Sequence, residues 1–309
     1  MKVSIIIPCK EINKDTKKCI DECLKLEYDD FEILVLPDKK PKIKLSSKKV
    51  RIITTVGTPS LKRNLAMEKA KGDFYAFIDS DAYPRRDWLK NAIKYFQDSD
   101  IGIAGGPNLI PENAGFWEKI SDCVLSNFWA SGFAFVRYKT TRNQFVKELP
   151  SCNYIARKSA SEEFLQDYLT AEDSKFCFDC LKKGYKVLYA KDVVVYHHRR
   201  NSLSRHLKQV FIYGRDIAWL TKKDFSLDKL YFSINSIGVL GFILGIILSF
   251  FSFPVRLIFL YLLFLYILIM LVVSIKENLK TSFFVFITTI TTHFSYGLGW
   301  LYGIIKSKV

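Results

Sequence analysis

The sequence predicts an α/β protein: a doubly wound mixed sheet, followed by an interfacial basic helix and a carboxy-terminal transmembrane helical bundle. Three observations carry this. Short β-branched runs alternate with helical patterns along the amino-terminal third, as in open α/β sheets. Residues 199–229 repeat apolar side chains at helical spacing, interleaved with basic ones. Beyond them, no Lys, Arg, Asp or Glu stands between Lys229 and Arg256, between Arg256 and Lys276, or between Lys280 and Lys306.

Val3–Pro8 (VSIIIP) has the continuous apolar character of a parallel strand buried on both faces. Residues 14–26 follow as a helix, with Ile20, Cys23 and Leu24 on one side. Phe31–Leu36 is a second strand and residues 50–54 a third. Ser60 caps the next helix, which turns Leu61, Leu65, Ala66 and Ala70 inward and stops at Gly72. Residues 74–78 form a fourth strand that runs straight into Asp79-Ser80-Asp81. Ile101–Gly105, residues 149–156 and Lys186–Tyr189 read as further strands, the last two bracketing a helix over 171–183. Residues 112–138 hold Phe116, Trp117, Phe128, Trp129, Phe133 and Phe135, a density that suits core packing or a lipid surface. In 199–229, Leu203, Leu207, Val210, Phe211 and Ala218 alternate with Arg205, Lys208, Arg215, Lys222 and Lys223, the pattern of a helix at the lipid headgroups. The uncharged stretches that follow match the ~20 residues a helix needs to cross a bilayer. They predict three spans, the third carrying His293, threonines and glycines.

The chain has 46 Lys and Arg against 31 Asp and Glu, a net charge of +15. That excess favours anionic partners such as nucleotide phosphates, acidic lipids or nucleic acid. No nucleic-acid motif accompanies it, so no nucleic-acid partner is expected. The 7 cysteines show no disulfide framework, and Cys177 and Cys180 read as small buried residues of a reducing compartment. The first apolar run is too short for a cleavable signal. The basic amino-terminal part, with Lys276 and Lys280, favours a cytoplasmic placement, while Lys306 and Lys308 oppose an odd number of crossings.

Ligands of doubly wound sheets bind beyond the carboxyl ends of the strands, where Pro8, Asp38, Asp79 and Asp81 fall. Asp79 and Asp81 can share one hard divalent cation, Mg2+ or Mn2+, or divide between the cation and a ribose. A cation there offsets the charge of a departing diphosphate. Glu172 and Asp173 open a helix, where acids either suit its positive end or do proton chemistry. Asn153 suits a turn, and Gly105-Gly106 a strand end or a close backbone approach. Arg199, Arg200 and Arg205 lean toward a phosphate or snorkel at an interface. His197 and His198 are adjacent in an extended segment and face opposite sides, so no histidine metal site is expected.

The stretches VSIIIPCKE, LKRNLAMEKAKGDFYAFIDSDAYP and AEDSKFCFDCLKKGYKVLY together resemble family 2 inverting glycosyltransferases of the GT-A fold. The resemblance covers the part before the basic helix. It implies that Pro8 and Glu11 line the base and ribose pocket and that Asp38 meets the base. Lys62 and Arg63 would approach the phosphates, Asp79 and Asp81 the metal, Asn153 the donor sugar and acceptor, and Asp173 would be the general base. The chain departs from the family at Leu36-Pro37-Asp38-Lys39-Lys40, where an acidic, serine-containing turn is usual, which leaves the base open.

The reading is a GT-A-like domain over 1–198, a basic interfacial segment over 199–229 and a transmembrane region over 230–309. Its expected activity moves a sugar from a UDP- or GDP-linked donor to a lipid-linked or membrane-proximal glycan hydroxyl, at the cytoplasmic membrane, with the catalytic domain facing the cytoplasm. Two alternatives stand beside it: a polyprenyl-phosphate sugar synthase, with the lipid phosphate as acceptor, and a non-catalytic membrane-tethered adaptor.

Overall fold

A computed structural model describes residues 1–41, 47–166, 168, 170–225 and 227–306. Position 226 of the basic segment and Lys308 lie outside the described residues. The elements run β1 (Val3–Pro8), α1 (Lys14–Cys23), β2 (Phe31–Leu36), β3 (Val50–Ile52), α2 (Pro59–Lys69), β4 (Phe74–Phe77), β5 (Ala82–Pro84) and α3 (Trp88–Ile93). They continue as β6 (Ile101–Gly105), β7 (Asn108–Leu109), α4 (Phe116–Leu125), α5 (Phe128–Ser131), β8 (Gln144–Phe145), β9 (Tyr154–Arg157), α6 (Glu172–Lys182), β10 (Lys186–Tyr189) and β11 (Val195–His197). Four long helices close the chain: α7 (Leu203–Lys223), α8 (Ile234–Ser249), α9 (Phe253–Glu277) and α10 (Ser282–Ile305).

Eight strands form one mixed sheet in the order β3-β2-β1-β4-β9-β6-β10-β8. β1 pairs in parallel with both β2 and β4, Val3 opposite Phe31 and Phe74. β9 runs antiparallel between β4 and β6. The start of β9 therefore lies at the same edge as the carboxyl ends of β1, β2, β4 and β6. A second, three-stranded sheet has the order β5-β11-β7, with His197 opposite Ala82. The central strands are apolar on both faces because helices cover both: Ile5, Ile7, Ile33 and Val35 on one face and Ile6 and Leu34 on the other are fully buried. Each such aliphatic side chain contributes about 1.5–3 kcal/mol by leaving water.

Several local expectations are corrected. The cap of α2 is Thr58, whose side chain accepts from Leu61 N, with Pro59 in the first turn; Ser60 is inside the helix. Its inward residues are Lys62, Arg63 and Ala66, while Leu61 and Leu65 are half-buried. The strand expected over 149–156 begins at Tyr154, since the preceding residues turn, Asn153 N–H donating to Pro150 O at 3.0 Å.

The chain divides into two compact units, Met1–Asn113 with Val136–His198, and Ala114–Phe135 with Arg199–Val309. The second unit is helical. In it α7 is not an isolated amphipathic helix: its apolar face, including Val210, Ile217 and Ala218, is buried, and α10 packs along it. Small residues permit that packing. A Cβ on Gly299 would sit 2.1 Å from Phe211 O, and one on Gly214 2.3 Å from Tyr296 O. Two stretches, Lys229–Ser249 and Phe253–Glu277, are long and apolar enough to cross a membrane. The third expected span, α10, is a continuous helix whose Thr288, Thr289 and Thr292 are buried.

Candidate active site

α2 lies beneath the carboxyl edge of the sheet and turns two neighbouring cations into it. Lys62 is 2% exposed; its ammonium donates to Cys9 O at 2.5 Å and pairs with the Asp38 carboxylate. Asp38 follows β2, and its own N–H donates to Lys10 O at 2.9 Å, tying the ends of β1 and β2 together. The bond from Lys62 holds the Asp38 carboxyl below the usual carboxylate range. Pro8 is buried at the end of β1, and Glu11 stands exposed just beyond it.

Arg63 is 3% exposed and bridges two acids, donating to Asp79 Oδ1 at 2.9 Å and to Glu172 Oε1 at 3.1 Å. Asp79 leaves the end of β4, and Glu172 and Asp173 begin α6. Arg63 is thus committed to carboxylates rather than held open toward a phosphate. Its Nε and Glu172 Oε2 are buried without a hydrogen-bond partner. Burial, with Asp173 alongside, pushes the Glu172 carboxyl up despite Arg63. Asp173 is half-buried and accepts from Ser174 N at 2.8 Å and Ser151 N at 3.3 Å. Burial also pushes its carboxyl up, opposed by Arg137 and assisted by Glu148, which pair with each other.

The sequence reading discounts a histidine at the metal, and the structure sets one beside the aspartate pair. The alternation argument holds for the two histidines together, but one of them suffices. Pairing of β11 with β5 brings His197 Nε2 to 3.3 Å from Asp81 Oδ1. One potential ligand atom each from Asp79, Asp81 and His197 lie within 4.8 Å of one another. Two carboxylates and an imidazole, with Asp81 exposed and the others half-buried, form a donor set whose oxygens suit Mg2+ or Mn2+ and whose imidazole, a transition-metal ligand, favours Mn2+ of the two. Burial works against protonating His197, yet hydrogen bonds to Asp81 and Cys152 prevail and raise it to about 10. The imidazole must give up that proton to ligate a cation.

Asn153 is not brought to the cleft. It is fully buried, its Oδ1 accepting from Trp88 Nε1 at 2.8 Å and its amide donating to Pro107 O and Val193 O, each at 2.9 Å. It ties Trp88 of α3 to the backbone at Pro107 and Val193, a role that no local pattern announced. His197 escaped sequence reasoning for a similar reason: its place depends on strand pairing across more than a hundred residues of chain. A histidine pair at the end of a short strand is the one local signal.

The sequence model of glycosyl transferase family 2 matches residues 4–165, more than half of the chain. The chain belongs to glycosyl transferase family 2. Among curated family relatives, a dolichyl N-acetyl-alpha-D-glucosaminyl phosphate 3-beta-D-2,3-diacetamido-2,3-dideoxy-beta-D-glucuronosyltransferase of Methanococcus voltae is 26% identical over 78% of this chain and 78% of its own length. The poly(ribitol-phosphate) beta-N-acetylglucosaminyltransferase TarS of Staphylococcus aureus is 30% identical over 33% of this chain, a match spanning 20% of TarS. Among solved structures, the mannosyltransferase PcManGT of Pyrobaculum calidifontis, in complex with GDP-Man and Mn2+, superposes with a TM-score of 0.52 at 15% identity. That match covers 74% of this chain and 66% of the mannosyltransferase, and it shows that the family 2 domain has the GT-A fold.

Proposed function

We propose that this family 2 glycosyltransferase is a membrane-attached, inverting enzyme using a nucleotide-sugar donor, UDP- or GDP-linked, and a lipid-linked glycan hydroxyl as acceptor. One observation carries the reading: a donor-atom cluster from Asp79, Asp81 and His197 stands at the carboxyl edge of the sheet that also presents Asp38. Bound there, Mg2+ or Mn2+ supplies compensation for the charge of the leaving diphosphate. Pro8, Glu11 and Asp38 form the side of the site that receives base and ribose, with Lys62 fixing the Asp38 carboxylate to accept a base N–H. Arg63 holds Asp79 and Glu172 in register. Asp173 takes the proton of the acceptor hydroxyl. The freed oxygen attacks the anomeric carbon opposite the diphosphate; one C–O bond forms as the other breaks, and configuration inverts.

A lipid-linked acceptor is supported by the printed activity of the Methanococcus relative. Membrane attachment is supported by Lys229–Ser249 and Phe253–Glu277, and a cytoplasmic catalytic unit by the basic residues that flank them. Two assays test the proposal. Metal-dependent hydrolysis across a panel of nucleotide sugars identifies the donor, and absence of any metal-dependent nucleotide affinity returns the chain to an adaptor. Labelled donor is then offered with free polyprenyl phosphate or with a lipid-linked saccharide. Product from the saccharide is expected, and product from the free phosphate alone overturns the hydroxyl acceptor.

A further inference from the structure

The segment Ala114–Phe135 interrupts the α/β unit in sequence but groups with the long apolar helices. Its inner face is settled: Ile120, Val124 and Ala130 pack with Val285 of α10. Its acids are occupied, Asp122 by Arg199 Nε at 2.9 Å and Glu118 by the backbone N–H of Gly115 at 2.7 Å. The outer face is aromatic. Trp129 is 55% exposed and Phe133 70%, with Phe116 and Phe128 near half.

The position of these rings within the helical unit says what covers them. α8 runs away from Tyr231 and α9 returns to Glu277, so those two residues mark the same end of an apolar hairpin. Phe133 lies 6.3 Å from Tyr231 between ring centroids, and Asn127 Nδ2 donates to Glu277 Oε1 at 2.8 Å. Phe116 stacks edge-on with Phe284 at 5.1 Å, at the start of α10. Exposed Phe283 and the exposed Lys119, Lys276 and Lys280 stand around the same end. Aromatic rings at one end of apolar helices, Phe133 beside Tyr231 and Phe116 beside Phe284, with lysines nearby, match the composition of the headgroup boundary.

We propose that Ala114–Phe135 is a bilayer-binding collar whose outward rings, Phe116, Phe128, Trp129 and Phe133, sit at the boundary between headgroups and acyl chains. This rests on the membrane attachment proposed above. The collar helps fix how deep the hairpin sits: Trp129 joins an apolar ring to a polar N–H and favours the boundary over either water or hydrocarbon, while the phenylalanine rings add apolar contact with the acyl chains.

The test reconstitutes the purified full chain in vesicles of phosphatidylcholine and phosphatidylglycerol whose acyl chains carry bromine near the glycerol. Trp129 is read as the emission lost on Trp129→Phe. A Leu262→Trp change in that background reports on the middle of α9 by its quenching with bromines placed deep in the chain. The Trp129 component is expected to be roughly halved by shallow bromines and little affected by deep ones. An unquenched Trp129 with a quenched Leu262→Trp reporter overturns the collar and leaves the hairpin in the membrane. If neither is quenched, the membrane reading falls and the collar with it.

Discussion

At the scale of single residues, the site is built by turning charge inward. Arg63 and Lys62 face inward from α2, where the apolar pattern points to Leu61 and Leu65, and each is stable there through the carboxylate it meets. Breaking such a pair leaves a buried charge without its partner, which is costly. Arg63→Ala is therefore expected to weaken Mn2+ affinity, read by titration calorimetry without any turnover, since Asp79 loses the donor that orients it; an unchanged affinity would make Arg63 irrelevant to that carboxylate. Asp81→Ala removes a proposed ligand that is exposed and carries no part of the core. It should lower transfer by roughly a hundredfold or more with the circular dichroism spectrum as in the parent, and lower the melting temperature only modestly, since protonated His197 loses the carboxylate it pairs with. Asp173 gives a pH prediction. Burial holds its proton up to a pH of about 6, so its basic form, and with it kcat, should rise as pH increases through that value. Asp173→Asn should abolish that limb, and a parent profile flat through this range argues against Asp173 as base. The linked stability runs the other way. A raised folded pKa favours the protonated form, so the contribution of Asp173 is present in acid and lost as pH rises through about 6.

Individual elements were legible where their patterns were local. β1, β2, β6 and β10 fall on the predicted residues, and α6 differs from its prediction by a residue at each end, because apolar continuity and helical spacing are properties of neighbours in sequence. Asp79 and Asp81 could be placed at a strand mouth for the same reason. The helix pair of the second unit was not legible. The 199–229 segment shows an apolar face but not what meets it, and here α10 covers it through glycine contacts. Gly299→Leu places a side chain against the Phe211 carbonyl and should destabilise the helical unit by about 1–3 kcal/mol. A lowered melting temperature in detergent, with Gly238→Leu in open space as the matched control, checks it. An equal effect of the two changes would count against close α7–α10 packing.

Taken whole, the molecule joins a catalytic α/β unit to helices that suit a bilayer. The chain is expected to remain with the membrane fraction after an alkaline carbonate wash, which strips proteins held by charge alone; release would show that α8 and α9 do not insert. Sequence alone determined the family, the fold class, the aspartate pair at the end of β4 and the apolar character of the tail, since each is written in contiguous residues. Tertiary structure decided what depends on distant partners. It brought His197 beside Asp81 by pairing β11 with β5, committed Arg63 to Asp79 and Glu172, and spent Asn153 on Trp88 and two carbonyls. It also gathered Ala114–Phe135 with the long helices. The physical reason is one of range: propensity and periodicity act between near neighbours, whereas a ligand set or a buried ion pair exists only after strands far apart in sequence have found their register.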